Sequence, residues 1–155
     1  MRSAIFRAFN VCLITMVLLA LGTQSHARRS NGVGFIAGQD TGPNDFFLGG
    51  LAELGPIVNS AYLVPSFHFG FDHGTSDAAN LDLRWYLLPL PETGIRIYGA
   101  VGPTLMFTSE ANIGLSLTAG LNIPMRNQRR YNVELRFGIG DVPDLKFGAA
   151  VVFGI

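Results

Sequence analysis

The chain has 155 residues, 48% of them hydrophobic and only 14% charged, with eleven Lys/Arg balanced by eleven Asp/Glu. A neutral, weakly charged chain of this length suits one domain and lacks the basic surface that nucleic acid requires. Its single cysteine excludes a disulfide scaffold, and three histidines with no Cys/His cluster offer no pattern for a structural zinc or other metal.

Met1 to Ala27 has the three parts of a secretory signal. Arg2 and Arg7 make a cationic start, Val11–Leu21 (VCLITMVLLAL) is an uncharged apolar run, and Ser25-His26-Ala27 puts small residues at −3 and −1. The run falls well short of the ~20 residues a spanning helix needs. Cys12 lies within the run, not after small residues at its end, which argues against a lipoprotein anchor. Cleavage after Ala27 is expected, leaving a cysteine-free domain, Arg28–Ile155, with nine Lys/Arg against eleven Asp/Glu.

The remainder reads as eight period-two segments separated by turn residues. In order they are Gly32–Gln39, Phe46–Leu54, Ala61–Asp72, Ala79–Leu88, Ile95–Thr108, Asn112–Ile123, Tyr131–Gly140 and Leu145–Ile155. Gly55-Pro56 with Asn59-Ser60 reads as the break after the second, and the basic PMRNQRR as the turn before the seventh. The lengths match the ~9–11 residues of a tilted strand crossing a bilayer.

Alternation is sharpest in the fourth, sixth and seventh segments. In the fourth, Leu81, Leu83, Trp85 and Leu87 oppose Asn80, Asp82, Arg84 and Tyr86. The seventh sets Tyr131, Val133, Leu135, Phe137 and Ile139 against Asn132, Glu134, Arg136, Gly138 and Gly140. Period two alone does not separate a soluble barrel from a membrane barrel. Face chemistry does: the apolar face is bulky and the polar face is small (Gly, Ser, Thr, Asn and isolated ionic groups). A narrow barrel has room inside only for the second set, so the bulky face points outward, toward lipid.

The predicted lumen then carries Glu53, Asp82 and Glu134, with Asp72 near a rim, against Arg84, Arg96, Arg136 and Lys146, with His68 as a further polar group. Unpaired charge in a narrow interior is costly, so these residues are expected to form an ionic network that fills and closes the barrel. The candidate for catalysis is FHFGFDHGTSD, which brings His68, Asp72, His73, Thr75, Ser76 and Asp77 together in sequence. A nucleophile needs a base in hydrogen-bond reach and a group that orients it, but HGTSD is also ordinary turn composition. No catalytic residue and no cofactor is assigned. Trp85, Tyr86, Tyr98, Tyr131, Phe46, Phe47 and Phe153 are read as an interfacial girdle.

The last segment, KFGAAVVFGI, has Lys146, then Gly148, then Val151 and Phe153 in the order polar, glycine, hydrophobic, aromatic. With the eight alternating segments, this resembles the small outer-membrane β-barrel proteins of Gram-negative bacteria: the OmpX type, the OmpA membrane domain and the OmpW-like barrels. The resemblance implies an all-β, eight-stranded antiparallel up-and-down transmembrane barrel over residues 28–155. It also implies residence in the bacterial outer membrane among its lipids, and Lys146, Gly148, Val151 and Phe153 as an assembly signal. Periplasmic chaperones and the barrel assembly machinery would be its partners. The chain departs from the family in ending on Gly154-Ile155 and in having short outer loops. Both termini and the basic turn would face the periplasm. A structural or envelope-related role is the reading; the alternatives are a lipid A-modifying barrel enzyme, a narrow solute channel and a secreted lipocalin-like carrier.

Two outcomes follow. N-terminal sequencing of the exported chain should begin at Arg28, and the protein should fractionate with membranes and shift on a gel when boiled. A protein soluble in the periplasm and unchanged by boiling would contradict the lipid-facing assignment.

Overall fold

Period-two patterning becomes eight strands in the computed structural model, which describes residues 31–41, 46–58, 61–71, 77–107, 111–142 and 145–155. The expected signal segment and Asp72, His73, Thr75 and Ser76 lie outside the described residues. The strands are β1 (Gly32–Asp40), β2 (Phe46–Val58), β3 (Ala61–Gly70), β4 (Asp77–Pro89), β5 (Arg96–Phe107), β6 (Ala111–Pro124), β7 (Arg129–Gly140) and β8 (Leu145–Gly154). Each pairs antiparallel with its neighbours in sequence, and β8 closes on β1, so the sheet has no free edge.

Most strand ends differ from the sequence reading by one or two residues, and three differences bear on the interior. β2 does not stop at Gly55-Pro56 but continues to Val58, with its register against β3 shifting between Leu54 and Val58. Gly55 sits there at φ 149°, its N–H donating to Asn31 Oδ1 at 3.1 Å. A bulge of this kind accommodates a residue without a donor. β1 extends to Asp40, and β7 starts at Arg129, taking in two arginines read as turn. Strand ends here are set by pairing with the neighbour, which local composition does not report.

The bulky face points outward. Phe35, Leu48, Ile113, Leu117, Val133, Phe137 and Phe147 are all exposed, while their sequence neighbours Ile36, Phe47, Asn132, Glu134 and Arg136 are buried. Such an outer surface belongs to a barrel surrounded by hydrocarbon. In the closing strand, Phe147 and Phe153 lie outside, and Lys146 and Gly148 inside.

The interior is less uniform than expected. Around β1, β2, β3 and β8 it is apolar, with Ile36, Phe47, Leu51, Tyr62, Val64, Ala150 and Val152 packed together and Tyr86 against them. The small polar lining expected of the whole lumen is concentrated on the β4–β7 side, with Asp40, Glu53, Ser66, His68 and Lys146 as the buried polar side chains of the other four strands. The girdle assignment is corrected accordingly: Phe47, Tyr86 and Tyr98 have inward parity, and Phe47 and Tyr98 are 4% and 1% exposed. Phe46, Tyr131 and Phe153 are exposed outside, and Trp85 is half-buried on that face. At the β7–β8 end, Val142 folds over Ala78 and Met106, adding a small apolar cluster at that mouth.

Leu117 faces outward near the middle of β6, paired with Val101 and Phe137, whereas Thr118 is buried in the lumen. Leu117→Arg should cost about 2–4 kcal/mol in unfolding from lipid vesicles if it meets the bilayer midplane. Thr118→Ser should change little; equal effects would invalidate the inside–outside assignment.

Candidate functional site

The charged residues of the lumen come from strands on opposite sides of the barrel. Glu53 on β2 is fully buried and holds two arginines: Arg84 Nη1 of β4 at 2.6 Å from Oε1, and Arg130 Nη2 of β7 at 3.0 Å from Oε2. Arg84 reaches on with Nη2 to Glu134 Oε2 on β7 at 3.2 Å. From Glu134 Oε1 the chain continues to Arg136 Nη2 at 3.3 Å, and Arg136 meets Asp82 Oδ2 of β4 at 2.6 Å. Three carboxylates thus face three guanidinium groups, and the set is neutral as a whole.

Neutral donors complete the coordination. Tyr98 Oη donates to Glu134 Oε2 at 2.8 Å, Asn132 Nδ2 to Glu53 Oε1 at 3.1 Å, and Tyr86 Oη to the same oxygen at 3.4 Å. Ser116 Oγ donates to Asp82 Oδ1 at 3.3 Å, and Asn122 Nδ2 to Asn132 Oδ1 at 2.6 Å. The Arg84 guanidinium also lies 4.1 Å from the centre of the Tyr98 ring, in cation–π range. Glycine makes room for this arrangement: a Cβ at Gly120 would collide with the Tyr98 phenol. A second ion pair, Lys146 Nζ to Asp40 Oδ2 at 3.3 Å, sits near the loop end, between strands that pair directly. Between the two ionic sets runs a neutral chain in which Thr104 donates to Asn80 at 2.8 Å and Asn80 donates to Ser66 at 3.1 Å.

Of the seven residues expected in the network, Glu53, Asp82, Arg84, Glu134 and Arg136 come together in one cluster and Lys146 lies apart with Asp40. Arg96 does not join them. Its parity points inward, but as the first residue of β5 it lies at the rim, exposed, with its guanidinium 5.9 Å from the Tyr86 ring. Two ionic residues were missed. Arg130 has the same parity as Asn132, Glu134 and Arg136, and Asp40 the same as Ile36 and Gly38; both stand in stretches that read as turns, and the alternation extended by one residue at each of these strand ends finds them.

His68 is buried and stacks on Phe47, with ring centroids 4.6 Å apart and planes 20° apart. Neither ring nitrogen has a hydrogen-bond partner among the described residues. Of its proposed partners in sequence only Asp77 is described, and no hydrogen bond joins the two.

Charges so placed are interdependent. Glu53→Leu leaves Arg84 and Arg130 without their shared carboxylate, and should cost about 3–5 kcal/mol. Asp82→Leu and Arg136→Met should each destabilise, while the double replacement should cost much less than their sum. Urea titration of refolded protein in lipid vesicles measures all three; additive costs for the pair would show that Asp82 and Arg136 are not coupled.

No protein-family model and no curated protein matches the chain. Solved structures do match in fold. The N-terminal β-barrel domain of Pseudomonas aeruginosa OprF superposes with a TM-score of 0.62 at 16% identity, covering 83% of this chain and 100% of that one. Neisserial surface protein A superposes with a TM-score of 0.57 at 10% identity, covering 81% and 94%. A de novo designed transmembrane β-barrel gives 0.61 at 12% identity, covering 84% and 98%. Because a designed sequence shares this fold, the fold alone assigns no function. The chain has the closed eight-stranded fold of the small β-barrels of the Gram-negative outer membrane.

Proposed function

We propose that the protein is an integral outer-membrane barrel with a structural, envelope-related role, not an enzyme, and that its lumen is closed to solutes. The observation that carries this reading is the neutral cluster linking β2, β4 and β7 through Arg84. Six ionic side chains pair with one another across the bore and cancel in charge, and a bore of eight strands has room mainly for side chains. The apolar packing of Phe47, Leu51, Tyr62 and Val152 beside the cluster supports the same conclusion. Catalysis has weaker support, because His68 stacks on Phe47 and no described nucleophile or carboxylate is bonded to it.

The outward apolar face takes outer-membrane lipids as its solvent. Periplasmic chaperones and the barrel assembly machinery are proposed as its biogenesis partners, acting through the strand that holds Lys146, Gly148, Val151 and Phe153. Planar-bilayer recording tests the closed lumen. The wild-type protein should give no discrete current steps, and replacing Glu53, Arg84 and Glu134 together by alanine should introduce them. Discrete steps from the wild-type protein would falsify the closed-lumen proposal.

A further inference from the structure

Charge on the outside of the barrel is separated along its axis. Among the described residues every exposed Lys or Arg (Arg96, Arg126 and Arg129) lies at the turn end, the end that also holds Asn31 and Ile155. The acidic groups outside the lumen at the opposite end include Asp77 and Asp141, with only Glu92 among the exposed turn-end residues. Arg126 and Arg129 flank a tight turn between β6 and β7. Its residues Asn127 and Gln128 adopt left-handed backbone angles, φ 62° and 58°. Met125 N–H donates to Arg129 O at 2.8 Å, and Gly154 N–H donates to Gln128 O at 2.9 Å, which ties the turn to β8. The two arginines are therefore held on a fixed hairpin, and no ion pair among the described residues occupies either of them.

Directly beside them is a groove of about 890 Å³ on the outer wall, lined by Ile123, Tyr131, Val151 and Phe153 and closed at its turn end by Arg126 and Arg129. The Arg129 guanidinium lies 5.6 Å from the Phe153 ring centre. An apolar trough open to the bilayer, capped at one end by two cations, matches one chemistry: an acyl chain joined to an anionic phosphate headgroup. A soluble phosphate would not use the apolar wall, and a protein segment in that position would have to lie among lipids.

We propose that this groove binds an anionic glycerophospholipid of the leaflet at the turn end, with Arg126 and Arg129 on the phosphate and the β6–β8 wall along the chain. The proposal rests on the membrane-embedded reading, which has its own check in gel mobility before any lipid is added. Each arginine near an anionic headgroup contributes about a fivefold gain in binding, so the pair supplies roughly 30-fold.

Native mass spectrometry of the folded full-length mature chain in neutral detergent, with phosphatidylglycerol or phosphatidylcholine added, reads the outcome. The wild-type protein should retain phosphatidylglycerol in preference to phosphatidylcholine, and R126Q/R129Q should lose that preference by about 30-fold. R96Q, which removes an exposed cation from a different turn, should leave it unchanged. All three proteins should first show the folded mobility on a gel; if the wild-type protein fails there, the membrane reading fails and not the lipid site. The proposal is overturned if R126Q/R129Q retains lipid as well as wild type, or if R96Q loses it equally. Displacement of the lipid by an equal concentration of inorganic phosphate, or a dimer that forms in its place, would also overturn it.

Discussion

Charge cannot be left unpaired in the interior of this barrel, and most of its particular features follow from that. A carboxylate or guanidinium withdrawn from water costs several kcal/mol unless its partners are present in good geometry. Arg130, Glu53, Arg84, Glu134, Arg136 and Asp82 meet the condition only as a set, because each is ion-paired with the next. Glu53 is on β2, Asp82 and Arg84 are on β4, and the rest are on β7. The set therefore exists only when strands far apart around the ring are in their native positions. Tyr98 on β5 and Asn122 on β6 extend it to the intervening strands. The ionic cluster acts as a cross-brace between walls that hydrogen bonds connect only to their immediate neighbours.

The second half of the interior uses a different means to the same end. Where β1, β2, β3 and β8 face inward, apolar side chains pack as they would in a soluble core. Gly38 on β1 leaves space that the Phe47 ring fills, and Gly32 leaves space that the Val152 side chain fills. A barrel divided in this way has one side braced by directional polar contacts and the other filled by non-directional packing. The first specifies which strands face each other, and the second removes voids that would otherwise admit water. The aromatic group of Tyr62, Tyr86 and Tyr98 lies where the two halves meet, with its rings in edge contact.

Much of this was readable from the residues, for a definite reason. A strand whose two faces meet different solvents must alternate, so β4, β6 and β7 declare their inward residues and, to within two residues at each end, their extent. The lumen positions of Asp82, Arg84, Glu134 and Arg136 followed from parity alone. What parity does not encode is height along the axis. Arg96 has inward parity yet lies at the rim, and Arg130, written in a basic turn, lies deep enough to reach Glu53. Strand ends depend on the neighbour's length, and the bulge at Gly55 shows β2 extending past a proline that reads locally as a stop. The apolar half was obscured because large inward residues such as Phe47 and Leu51 resemble the outward ones beside them. Their inward places stand opposite Gly38 and Gly34 of β1, a pairing that composition along β2 does not report.

The pair between Asp40 and Lys146 bears on how the ring is closed. These residues face each other directly across the β1–β8 seam, the contact that joins the two ends of the sheet. A slip by one position would turn every side chain of β8 over, and the hydrocarbon face would reject Lys146 at once. A slip by two is harder to reject, because it keeps all faces correct, and Gly34, Gly38 and Gly148 offer no bulk to oppose it. The ammonium and carboxylate are the groups on this seam that distinguish the two alignments: displaced by two positions, Lys146 would face Gly38 or pass beyond the end of β1. One charge pair thus supplies the final alignment check that the repeating pattern of the seam lacks.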